Sequence, residues 1–135
     1  LNVWMRYLHC LFLDRNNIKE GLAVILAAIN KVKAGISICV FPEGTRNDSS
    51  EDFLPFHGGS LKIAEKGCCA IIPMALNHTD DIFEAHLPWI RKTHIVLEYC
   101  KPIYPKDLSR EERKKLSDIV ENVIKETYYK NQALV

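Results

Sequence analysis

The chain has 135 residues, room for one domain and too few for two. Lys and Arg number 18 against 17 Asp and Glu, so the net charge of +1 lacks the basic excess of a nucleic-acid binder. With 47% hydrophobic and 26% charged residues, the composition is that of a folded domain rather than a disordered tail.

Tyr7 to Leu13 is a short apolar run that reads as a buried strand, ending abruptly at Asp14-Arg15-Asn16-Asn17. A helix should follow, capped by Asn17 with Glu20 three residues on. Its buried face is defined by Ile18, Leu22, Ile25, Ile29 and Val32. Lys31 and Lys33 suit its negative end, and Gly35 stops it. Ile36 to Phe41 reads as a second strand, broken by Pro42-Glu43-Gly44, and 47–52 is a polar loop. A short helix is expected over Gly58 to Lys66, closed by Gly67. Ala70 to Leu76 and His94 to Cys100 read as the third and fourth strands, while Asn77 to Arg91 shows no clear pattern. The last helix is the clearest element. Ser109 caps it, Glu112 completes a capping box, and Leu116, Ile119, Val120, Val123 and Ile124 form its apolar stripe. Its other face, Arg110, Glu111, Arg113, Lys114 and Lys115, reads as solvated, with anionic headgroups as the second reading.

This order predicts an α/β fold, a central and mostly parallel sheet flanked by helices. Ligands in such sheets bind beyond the carboxyl ends of the strands, where Asp14-Arg15 and Glu43 to Arg46 both fall. The five cysteines, Cys10, Cys39, Cys68, Cys69 and Cys100, form no C-x-x-C pair and read as small buried hydrophobes in a reducing compartment. No metal site is expected. The longest apolar runs, 21–29 and 68–76, are about half the roughly 18–20 residues a membrane span needs. No signal peptide is read, because Arg6, Asp14 and Arg15 interrupt the apolar start. A first residue Leu1 rather than Met suggests a piece of a longer product.

The turn Phe41-Pro42-Glu43-Gly44-Thr45-Arg46 carries the chemistry. Glycine allows a sharp turn with exposed N–H groups, and arginine supplies a planar donor fork that matches phosphate oxygens. Glu43 either holds that fork or organises the turn. An ordinary charged turn is the alternative, as is plain ion pairing at Asp14-Arg15. No phosphate loop of the Gly-x-x-x-x-Gly-Lys type is present.

These residues resemble the glycerolipid acyltransferases, and the 1-acylglycerol-3-phosphate acyltransferases among them. Phe12-Leu13-Asp14-Arg15 resembles that family's second motif and FPEGTR at 41–46 its third. Pro55-Phe56, Gly58, Ala64, Ile72-Pro73 and Lys101-Pro102-Ile103 fit later parts. The resemblance implies a membrane-associated enzyme on the cytoplasmic face, with residues 1–135 one partial acyltransferase domain. It would move a fatty acyl group from acyl-CoA or acyl-carrier protein to the sn-2 hydroxyl of lysophosphatidic acid, giving phosphatidic acid without a cofactor. Carried over, Arg46 is the phosphate ligand, Glu43, Gly44 and Thr45 shape its site, Arg15 is an auxiliary contact and Asp14 orients it. Glycerol-3-phosphate or another lysophospholipid as acceptor, or an inert lipid- or phosphate-binding fragment, are the competing readings.

The family's first motif, Asn-His-x-x-x-x-Asp, supplies the general base, and it is missing from its expected place. His9 and Asp14 have the spacing, but on the expected strand they would face opposite sides roughly 16–17 Å apart. Among the other histidines, His57 and His78 lie near loops that approach the expected ligand rim. No catalytic residue is therefore assigned, and the chain alone is expected to be inactive.

Overall fold

The computed structural model describes residues 2–12, 18–45, 47 and 53–135. The chain divides into two compact units, Leu1–Cys69 and Ala70–Val135.

The first unit contains α1 (Asn2–Tyr7), α2 (Ile18–Lys33) and α3 (Gly58–Gly67). The strand expected over Tyr7 to Leu13 is not formed in the described part, 7–12. Helix α1 takes its first residue, and 8–12 make turns and irregular backbone. Val3, Trp4, Tyr7 and Leu8 are exposed, with the Trp4 and Tyr7 rings 6.4 Å apart. Residues 36–41 likewise form no ladder among the described residues. A strand exists only through a hydrogen-bonded neighbour, so an apolar run without one stays irregular.

Helix α2 ends as the sequence predicts. Gly35, at φ +85°, donates to the Val32 carbonyl at 2.9 Å, and Ile36 donates to Lys31 at 3.0 Å. This pair of bonds is a Schellman closure, which needs a left-handed residue where glycine stands. Of the expected stripe, Ile29 is buried and Ile25 and Val32 half-buried, with Ala28 buried beside them, whereas Leu22 is 59% exposed. Small side chains let α3 come close, and Ala64 of α3 is buried as well. At Gly67 a Cβ would lie 2.9 Å from Val32 Cγ1, so glycine is needed there for packing. The left-handed residue ending α3 is therefore Cys68 at φ +54°, whose N–H donates to the Ala64 carbonyl.

The second unit is built on β1 (Met74–Asn77) and β2 (Val96–Tyr99). They pair antiparallel, with Ala75 opposite Glu98 and Leu76 opposite Leu97. Ile71 and Ile103 extend the pairing by one bridge, each N–H to the other's carbonyl at 2.8 Å. Among the described residues the sheet is this two-stranded antiparallel pair, without the parallel pairings expected. The connection between the strands explains their direction: residues 78–95 form two 3₁₀ turns and a loop, not the crossover helix that parallel strands need.

The capping box forms as predicted at the start of α4 (Arg110–Lys114): the Glu112 N–H donates to Ser109 Oγ at 3.2 Å, and the Ser109 N–H to Glu112 Oε2 at 2.8 Å. The expected single helix breaks at Lys115, and α5 (Leu116–Asn131) continues it. Leu116 and Val120 bury the α5 stripe, while the charged residues of α4 are exposed. Helix α5 packs on β1, where Asn77, 0% exposed, donates from Nδ2 to the Tyr128 carbonyl at 2.9 Å. Lys130 Nζ reaches Glu98 at 2.9 and 3.0 Å and holds its carboxyl below the ordinary value.

Two stability predictions arise here. Asn77→Ala removes a fully buried side chain and its bond to the Tyr128 carbonyl, and should cost about 1–3 kcal/mol in urea unfolding. Ser109→Ala should cost about 1 kcal/mol near neutral pH. The Ser109 bonds hold the Glu112 carboxyl below its ordinary value near 4.5. The stability that carboxylate brings is complete above that value and is lost as pH falls through the lowered folded one. The gap between wild type and Ser109→Ala should therefore narrow in acid.

All five cysteines are free thiols, but Cys39 and Cys68 are exposed, against the expectation of burial. Cys39 stands in the unpaired 36–41 segment and Cys68 at the open end of α3.

Candidate functional site

The turn after Phe41 is built by its own backbone. The Gly44 N–H donates to the Phe41 carbonyl at 3.0 Å, and Gly44 stands at φ +68°, where a side chain is disfavoured. Glu43 is half-buried, and its Oε2 accepts from the Leu54 N–H at 3.2 Å. Of the two roles open to Glu43, the described contact is the organising one: the carboxylate ties the turn to the segment entering α3. Thr45 is exposed at the turn's end.

The second tie is His57, the residue before α3. Its N–H donates to the Pro42 carbonyl at 2.8 Å. Its ring lies against Gly44, where a Cβ would stand 3.2 Å from Cδ2 and 3.8 Å from Nε2. Ser60 Oγ donates to the His57 carbonyl at 2.7 Å, and the His57 side chain makes no capping bond to α3. The turn therefore sits beside the positive end of a ten-residue helix, with Gly58 and Gly59 leaving open space there. A helix N-terminus suits an anion.

Glu43, Gly44 and Thr45 are thus brought together, and His57 joins them. Asp14, Arg15 and Arg46 lie outside the described residues. His9 stands in the turn after α1 at φ +55°, not on a strand, and its spaced partner Asp14 is among the residues not described. His78, also left-handed at φ +62°, places Nδ1 3.8 Å from Asp81 in the second unit. The sequence placed His57 near a ligand loop but did not join it to Gly44. No local signal joins the two, which stand 13 positions apart.

A family model described as Acyltransferase matches residues 1–77, which include the whole turn and α3. The chain belongs to the acyltransferase family. It is 29% identical over 124 residues to the 1-acyl-sn-glycerol-3-phosphate acyltransferase of Borreliella burgdorferi, covering 92% of this chain and 49% of that protein. It is 33% identical over 106 residues to the enzyme of the same name from Salmonella typhimurium, covering 75% and 42%. Among solved structures, it resembles the 1-acyl-sn-glycerophosphate (LPA) acyltransferase PlsC of Thermotoga maritima. The TM-score is 0.76 at 30% identity, over 98% of this chain and 51% of that one. The acyltransferase chain described here spans about half the length of the curated relatives it matches. Among its described residues, no helix is long and apolar enough to cross a membrane.

Proposed function

We propose that residues 1–135 carry the acceptor-phosphate site of an enzyme that acylates 1-acylglycerol-3-phosphate to phosphatidic acid at a membrane surface on the cytoplasmic side. The observation carrying this reading is the 41–45 turn, clamped by Glu43 and His57 to the open start of α3. Arg46, the next residue, offers a guanidinium fork to two phosphate oxygens, and Arg15 adds a second cation with Asp14 as its partner. In the reaction the sn-2 hydroxyl attacks the thioester carbonyl, a C–O bond forms, the C–S bond breaks, and the hydroxyl proton leaves with the thiol. Acyl-CoA or acyl-carrier protein is the donor. The family's His-Asp base has no counterpart among the described residues, so the chain binds acceptor without turning over. The mostly parallel sheet belongs to this proposal too, with residues 36–41 as the strand a parallel neighbour would join.

A chimera tests the reading. This chain replaces the half of the Thermotoga enzyme that it matches, leaving that enzyme's remaining half in place. Phosphatidic acid should form from lysophosphatidic acid, with free thiol released in equal amount. A folded chimera that releases thiol only with glycerol-3-phosphate would move the acceptor, and one that binds neither acceptor would overturn the site.

A further inference from the structure

The segment joining β1 to β2 closes on itself. The Arg91 N–H donates to the Ile82 carbonyl at 2.9 Å, Thr93 Oγ1 to the Asp81 carbonyl at 3.0 Å, and the Trp89 N–H to the His86 carbonyl at 2.9 Å. The loop is thus pinned at its base, and its far end is apolar. Leu87 is 63% exposed, Trp89 73% and Ile90 77%, followed directly by exposed Arg91 and Lys92. Single exposed apolar side chains are ordinary, but three large ones within four residues of a pinned loop make a patch. Asp80, Asp81 and Glu84 lie on the loop's incoming arm, and the stretch 87–92 contains no acid.

We propose that Leu87 to Lys92 is the tip by which this chain docks on an anionic lipid bilayer. Leu87, Trp89 and Ile90 enter the boundary between headgroups and acyl chains, where an indole's apolar body and polar N–H are both accommodated. Arg91 and Lys92 pair with lipid phosphates at the rim, and this charge complementarity selects an anionic surface. The tip lies outside the family-matched residues and apart from the 41–45 turn in sequence. The inference rests on the membrane-surface part of the function proposed above and names the element that makes the contact.

The chain has two tryptophans, so Trp4→Phe leaves Trp89 as the single reporter. Vesicles of phosphatidylcholine, alone or mixed with phosphatidylglycerol, are added while emission and co-sedimentation are followed. Trp89 emission should shift to the blue and be quenched by lipids brominated on the acyl chain. In the chain that keeps Trp89, Ile90→Ser with Leu87→Ser should weaken partitioning by about tenfold or more. Arg91→Gln with Lys92→Gln should weaken it about tenfold or more on the phosphatidylglycerol vesicles alone. Binding that leaves Trp89 in water and ignores these substitutions would overturn the tip while leaving the membrane reading standing. No binding to either vesicle would overturn both. Self-association abolished by Leu87→Ser and Ile90→Ser, without vesicle binding, would assign the tip to a second copy and overturn the lipid assignment.

Discussion

Arg46→Ala is expected to weaken binding of a monomeric, short-chain 1-acylglycerol-3-phosphate by about ten- to hundredfold. The lost contact is a charge-assisted pair worth about 1.5–3 kcal/mol, which converts to that range of affinity. Arg46→Lys keeps the charge and loses the fork, so it should fall between wild type and alanine. In an active chimera, kcat/KM for the acceptor should drop in the same proportion while the KM for the acyl donor stays nearly constant. Equal damage to both substrates would remove Arg46 from the phosphate.

Gly44→Ala should damage the same site by a different route. The residue stands at φ +68°, where an L side chain costs about 1–2 kcal/mol, and the new Cβ would press on the His57 ring at 3.2 Å. The ring and the Pro42 bond must shift, so acceptor affinity should fall at least about tenfold and stability by about 1–2 kcal/mol. Two further variants separate the causes. Gly44→Asn tolerates the left-handed backbone better but still meets His57, so it should regain stability more than affinity. His57→Ser combined with Gly44→Ala opens the space and leaves the backbone cost. If Gly44→Ala bound the acceptor as wild type does, the turn would be an ordinary surface turn.

How much of this was legible in the sequence depends on where each element finds its partners. The helix ends were readable because they are local: Gly35 closes α2, and Ser109 with Glu112 opens α4, through bonds spanning a few residues. Strands need distant partners. Residues 70–76 and 94–100 contain true strands because each supplies the other's ladder, whereas the equally apolar 36–41 has no neighbour among the described residues. The antiparallel direction of this pair was not legible, since the link over 77–91 carries no clear pattern. Leu22 repeats at helical spacing yet is exposed, because periodicity names a face and packing decides how much of it is covered. In the site, Gly44 was legible as a backbone requirement. Glu43's bond to Leu54 and the His57 ring over Gly44 were not, being contacts across 11 and 13 positions that only tertiary structure makes.

The central claim is that the 41–46 turn and the start of α3 form a phosphate site. Its most direct test is an amide NMR titration of the 135-residue chain with the monomeric 1-acylglycerol-3-phosphate and, separately, the matching monoacylglycerol without phosphate. The account predicts shifts at Gly44, Thr45, Gly58 and Gly59 with the phosphate compound alone, their midpoint moved to about ten- to hundredfold higher concentration by Arg46→Ala. Shifts of equal size with both compounds, or shifts that leave these four amides unmoved, would contradict it.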